Sequence, residues 1–289
     1  MFRRCSARTS LLCIVPVVGV LLAMAACGGG KEESPTATAS PAATTGKIDI
    51  STVPELKDGK LQVGSDIAYA PIEFYKEGTT EPDGLDVDLA RALAKVLGVE
   101  VEFINTGFDG IIPALKTKDF DVIMSAMTVT DERKQEIDFV EYANVGTGVL
   151  VPKGNPKAIH SVDDLCGLTV AVQAGTIQYD LVTAQNDKCA KKINVVTFDT
   201  NPLAVEDVKT GGADANLSDF PVAFVDAEES DGKLEVLDVQ IDPEPYGIGV
   251  RKDSTALKQV LEEALKQVRA SGEYDAIMAK WKLSAAALP

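Results

Sequence analysis

The chain has 289 residues, with 44 Asp and Glu against 28 Lys and Arg, a formal net charge of −16 and a single histidine. That balance argues against nucleic acid and against a polybasic membrane contact as the partner. Five cysteines, three of them within the first 27 residues, and a lone His160 in a polar connector leave little for a transition-metal site or a Cys/His or Ser/His nucleophile. No metal and no cofactor is expected.

The N-terminus reads as an export signal over 1–26. Arg3, Arg4 and Arg8 precede a mostly apolar run, Leu11 to Met24, which is short for a membrane span and is interrupted by Pro16. It ends "LAMAAC". Small residues just before Cys27 look like a bacterial lipoprotein signal, with lipid expected on Cys27 and Met24 standing where Leu is commoner. An ordinary secretory signal with an incidental cysteine is the alternative. The next stretch, "GGGKEESPTATASPAATTG", has no large apolar residue, and 27–58 is read as a flexible tether. About 30 residues of such coil reach roughly 30 Å.

From Lys60 strand and helix signals alternate. "LQVGSDI" (Leu61 to Ile67) is a short strand. Asp86 to Leu97 is a helix with Leu89, Leu93, Val96 and Leu97 on one face and Gly98 as its stop. Val99 to Ile104 alternates apolar and acidic residues as a half-buried strand does. Phe108 to Thr117 is the next helix, and Val122 opens the next strand. After "VPKGNP" the rhythm restarts: strand Leu168 to Ala174, helix Ile177 to Asn186, strand Asn194 to Phe198, helix Pro202 to Lys209, strand Ala213 to Ser218, helix Pro221 to Ala227. A last strand, Gly247 to Arg251, and two helices, Ser254 to Ser271 and Tyr274 to Trp281, are too little for a third domain. The expectation is an α/β protein of two lobes, 59–146 with 247–289 and 147–246, so that the chain crosses between them twice.

Two cysteines remain in the folded part, Cys166 and Cys189. An even pair in an exported protein suggests one disulfide, worth ~3 kcal/mol in the chain-entropy model; two unrelated buried thiols are the alternative.

"DVIMSAMTVTDER", Asp121 to Arg133, carries the most chemistry. A buried strand breaks into Ser125, Ala126 and Thr128, and Thr130 to Arg133 reads as a helix start. Strand-end N–H groups, two hydroxyls and a guanidinium fork suit a carboxylate. A plain turn with a solvated arginine has comparable odds from these residues alone.

The blocks "VGSDIAYAPIEF", "GLDVDLARALAKVLGVEVEF", "FDGIIPALKTKDFDVIMSAMTVTDERKQEIDF", "VAVQAGT" and "RASGEYDAIMAKW" together resemble the extracytoplasmic solute-binding proteins of ABC importers, in the polar amino-acid-binding family, family 3. The resemblance runs from about Gly59 to Trp281. It implies a type II periplasmic-binding-protein-like fold with the ligand in the cleft between lobes. It assigns Arg133 to the ligand α-carboxylate, with Ser125, Ala126 and Thr128 around the carboxylate and α-amino groups. Ala126 stands where relatives often have Gly or Ser, which leaves its backbone N–H for the ligand. Thr176 would donate to the carboxylate from a helix N-terminus, and Asp219 would accept from the α-ammonium. Asp66, Tyr69 and Phe108 match the positions that hold the ligand side chain, and Gln173 reaches the ligand in some relatives. Ile177 stands where several relatives offer a polar or small contact.

A zwitterion leaving water needs both charges paired. With Arg133 and Asp219 on different lobes, only the closed form pairs both, and binding drives hinge closure. Two aromatic faces and a carboxylate suit a guanidinium, ammonium or amide end group, hence arginine, lysine, ornithine or glutamine. Asp66 as a turn cap, and Tyr69 and Phe108 as lobe packing, are the bland readings. The expected partners are a free amino acid, permease subunits and, through the lipid, the membrane, with the protein itself a monomer. Two other functions stay open: an enzyme on the same fold, of the cyclohexadienyl or arogenate dehydratase kind, and a sensor presenting its ligand to a receptor.

Overall fold

The computed structural model describes residues 46–288. The signal, Cys27 and most of the tether lie outside them. Strand β1 (Lys60–Ser65) runs between β4 (Glu100–Asn105) and β5 (Val122–Ile123), parallel to both. Between β1 and β4 come a small hairpin, β2 (Phe74–Tyr75) with β3 (Pro82–Asp83), and helix α1 (Leu85–Leu97). Leu85, Leu89, Leu93 and Leu97 of α1 are buried, and Gly98 ends the helix in the left-handed conformation at φ 74°. Helix α2 (Ile111–Thr117) leads to β5, and α3 (Asp131–Glu136) follows it. The expected helix from Phe108 is thus a 3-10 turn, Phe108–Gly110, followed by α2.

The other half has the same parallel core. Strand β6 (Ile137–Pro152) enters it, then come β7 (Thr169–Gln173), α4 (Ile177–Lys188), β8 (Asn194–Phe198), α5 (Asn201–Thr210), β9 (Ala215–Asp219), α6 (Phe220–Glu228) and β10 (Leu234–Val236). Strand β11 (Ile241–Arg251) returns, followed by α7 (Thr255–Ala270) and α8 (Glu273–Lys280) against α1. The strand order is β4-β1-β5-β11-β6-β9-β7-β8, with β10 on β6. Two parallel three-stranded cores are therefore joined by one antiparallel pair, β6 and β11, whose register shifts between Tyr246 and Gly247. Cys166 and Cys189 form a disulfide at the far end of α4 from the cleft.

The sequence gives no period-2 signal for β6 because both its faces become buried where it passes between lobes: from Val145 to Val151 every residue is buried. β10 and the β2–β3 hairpin are too short to leave a pattern, and β11 begins six residues before the expected strand. The tether assigned to 27–58 is corrected at its end. Ile48, Val53 and Leu56 are buried in the first lobe's core, and Glu55 meets Arg251 at 3.3 Å. Isolated apolar residues in a polar stretch hid a strap that covers the base of the lobe.

Candidate functional site

The site is built at the C-terminal ends of the strands, where the two halves face each other. β1 ends at Ser65, and Asp66 follows in the bend. Its backbone N–H donates to the Ser125 hydroxyl (2.9 Å), which in turn donates to Glu73 Oε1 (3.1 Å). Gly64 is needed beneath them, since a Cβ there would lie 2.3 Å from the Phe120 ring. β5 is only two residues long because the chain must break into the loop that carries Ser125, Ala126 and Thr128. Ala126 takes a positive φ of 48°, a conformation rare for a residue with a Cβ, and its N–H donates to Asp86 Oδ2 (3.0 Å).

Thr130 caps α3, accepting from the Arg133 N–H at 3.2 Å. That fixes the first turn and sends Arg133 back towards the cleft. Its guanidinium donates to Thr128 O (2.8 Å) in its own lobe and to Gly175 O (3.1 Å) in the other, and stacks 5.4 Å from the Phe108 ring centre. Burial lowers its pKa against the opposing pull of Asp180 and Asp219, and a guanidinium so placed remains charged.

From the second lobe, Asp219 ends β9 opposite Thr147 of β6. Its Oδ2 accepts from the Tyr69 hydroxyl (3.1 Å) and its Oδ1 from Gln178 Nε2 (2.9 Å), while its own N–H donates to the Tyr69 oxygen (2.8 Å). Burial pushes the Asp219 carboxyl up to about 6; the Tyr246 and Tyr69 hydroxyls, Gln178 and the Arg133 charge oppose it. Gln173, at the end of β7, donates to Asp66 Oδ2 at 2.6 Å. Burial raises the Asp66 carboxyl, with that hydrogen bond pulling the other way.

One cavity gathers all ten residues singled out in the sequence. Asp66, Tyr69, Phe108, Ser125, Ala126, Thr128 and Arg133 come from the first lobe, and Gln173, Thr176 and Asp219 from the second. With the lobes this close its volume is about 20 Å³, the room of about one water. An amino acid enters only if the lobes part, and it must then replace the contacts between them.

Two polar groups on the cavity wall already have partners within the protein. The Ala126 N–H is already given to Asp86. The Thr176 hydroxyl caps α4, accepting from the Tyr179 N–H (3.2 Å) and donating to Gln173 O (2.8 Å). Both residues line the cavity, but these groups hold its walls. Three further wall residues are Glu73, Ile177 and Gln178. Glu73 was legible only as an acid isolated between Ile72 and Phe74, and Gln178 carried no signal at all.

Two α/β lobes on a pair of crossing strands, with one charged cavity between them, define a protein that clasps a small ligand. Residues 61–284 match the model for bacterial extracellular solute-binding proteins, family 3, and the chain belongs to that family. It is 35% identical over 269 residues to a "Probable histidine-binding protein" of Neisseria gonorrhoeae, covering 90% of this chain and 91% of that one. The structure of an ancestral arginine-binding protein bound to arginine superposes with a TM-score of 0.74 at 36% identity, over 77% of this chain and 98% of that one. An ancestral amino acid-binding protein described as a precursor of cyclohexadienyl dehydratase superposes with a TM-score of 0.73 at 40% identity, over 80% and 99%. The fold is the type II arrangement of periplasmic binding proteins.

Proposed function

We propose that this protein captures a polar or basic L-amino acid outside the cytoplasm and hands it to the permease of an ABC importer. The observation that carries this reading is the placement of Arg133 and Asp219, a fixed cation and a buried acid from opposite lobes, on one cavity. They are suited to the two poles of a free amino acid, and neither lobe alone supplies both. The strand pair β6 and β11 serves as the hinge, with lobes at 59–146 with 247–289 and 147–246, the first now extended back to the strap that begins near Ile48. Three carboxyl groups, Asp66, Glu73 and Asp219, against one guanidinium favour a ligand with a cationic or amide end over an acidic one. Lipid on Cys27 and a shortened tether would hold the protein, as a monomer, at the membrane beside its permease.

A thermal-shift screen of the twenty amino acids with ornithine and citrulline tests the reading. Arginine, lysine, ornithine or glutamine raises the melting temperature in proportion to ln(1 + [L]/Kd). No shift with any of them overturns it.

A second reading is favoured by one observation: buried acids with raised pKa on the cavity wall are the groups a dehydratase would use as a general acid. We place it second because the same acids are engaged by Ser125, Tyr69 and Gln178. Turnover of a cyclohexadienyl substrate, assayed directly, would reverse that order.

A further inference from the structure

A second cavity, of about 630 Å³, has no part in the capture of an amino acid. Its size falls among sites for molecules larger than one amino acid, about 300–1,000 Å³. Helix α6 of the second lobe lines it through Phe220, Phe224 and Val225. The first lobe contributes the segment after α8, with Trp281 and Leu283, and the crossing strand β6 contributes Val145. Phe224 is 42% exposed, one of four large apolar side chains left so open among the described residues. Such a patch in a groove marks a place where something binds.

Polar side chains interrupt this lining at four points: Lys282 from the first lobe, Glu228 from the second, Asn144 on β6 and Gln240 just before β11. Among the described residues none of these four side chains makes a hydrogen bond or an ion pair. Lys280, by contrast, is spent on Asp88, to which its Nζ donates at 2.6 Å. Lys282 also holds a φ of 59°, where a helix end takes glycine at less cost.

We propose that this groove is a second ligand site, for a short apolar peptide with free ends. The peptide carboxylate meets Lys282 and its ammonium meets Glu228. Its side chains cover Phe224 and Trp281, and its peptide groups use the Asn144 and Gln240 amides. The charges carry the choice of occupant: the groove offers one unpartnered charge of each sign. A fatty acid would use Lys282 and leave Glu228 beside an apolar chain. A peptide uses both, and the two amides as well.

The two end charges belong to different lobes, so the spacing a peptide meets changes when the lobes move about β6 and β11. Peptide binding and lobe closure are therefore linked, each altering the other by the same factor. Phe220 follows Asp219 directly, so groove and amino-acid cavity both bear on the end of β9.

Calorimetry of the whole protein with the tripeptide Leu-Phe-Leu, and with its N-acetylated and C-amidated forms, tests the site. The free peptide should bind one to one, and blocking either end should weaken it at least about threefold. Lys282→Ala should erase the loss caused by amidation, and Glu228→Gln the loss caused by acetylation. Phe224→Ser, at an exposed position, should weaken the free peptide at least about tenfold while the melting temperature holds. No heat with the free peptide at millimolar concentration overturns the inference. So do equal affinities for free and blocked peptides, and so does laurate that displaces the peptide with equal affinity. Loss of peptide binding in Arg133→Ala also overturns it, since the peptide would then lie in the amino-acid cavity. None of these measurements uses a free amino acid, so failure of the capture reading would not decide them.

Discussion

Gln173 Nε2 donates to Asp66 Oδ2 at 2.6 Å, tying the second lobe to the first at the side-chain end of the cavity. The same amide donates to Asp199 O at 3.0 Å, which aims it across the cleft. The lobes thus approach through polar groups that a ligand would have to take over. We expect Gln173→Ala to leave the empty protein more open, because Asp66 loses its donor from the far lobe. Small-angle scattering of the unliganded variant should show a larger radius of gyration than the parent; an identical radius would mean that this contact does not help hold the lobes together.

Asp66 can serve a basic ligand through its charge or merely close a turn, and the two are separable. Hydrogen bonds to charged groups are worth about 1.5–3 kcal/mol. Asp66→Asn should therefore weaken arginine or lysine by at least about tenfold while glutamine changes much less. Equal losses for basic and amide ligands in calorimetry would reduce Asp66 to a cap.

The Arg133 guanidinium is held by hydrogen bonds to the carbonyl oxygens of Thr128 and Gly175 and by stacking on the Phe108 ring. Arg133→Ala strands no buried acid with a direct bond to it, so the melting temperature should move by only a few degrees. Binding should fall by about 2–5 kcal/mol, more than about 30-fold, because the ligand carboxylate would be buried unpaired. Retained affinity in calorimetry would remove Arg133 from the site.

Much of this was readable from residues alone, and the failures have physical causes. Helix α1 shows its buried leucine stripe and Gly98 stop plainly, since one face meets the core and the other meets water. β6 does not, because a strand passing between two lobes is buried on both faces and loses its alternation. The strap through Ile48, Val53 and Leu56 was masked by polar neighbours. At the site, Arg133 and Asp66 were found through motif text, whereas the commitment of the Ala126 N–H to Asp86 depends on a contact 40 residues distant. The weight of Glu73 comes from acids brought in by three other elements.

Asp86 is fully buried, and burial raises its carboxyl to about 6, against hydrogen bonds from the Tyr142 hydroxyl and the Ala126 N–H. A folded-state value above the unfolded one means that ionisation opposes folding. The loss is absent below the ordinary value of 3.8, grows as pH climbs towards about 6 and is complete above it. Asp219 acts in the same window and direction. Urea unfolding at pH 4.5, 5.5 and 7 should show stability falling across this range, and Asp86→Asn should flatten the slope. An unchanged slope in the variant would assign the pH dependence elsewhere.

The Cys166–Cys189 disulfide, with a sequence separation of 23, ties the turn before β7 to the C-terminal end of α4. The opposite end of α4, at Thr176 and Ile177, lines the cavity. Closing a loop of this size is worth ~3 kcal/mol in the chain-entropy model, which for a domain of this size corresponds to roughly 6–12 °C of melting temperature. Reduction, or the double variant Cys166→Ser/Cys189→Ser, should lower the melting temperature by that amount. Affinity should change less than about threefold, because the capping of α4 by Thr176 does not depend on the bridge. If affinity collapses while the melting temperature holds, the bridge positions the cavity end of α4 instead of stabilising the lobe.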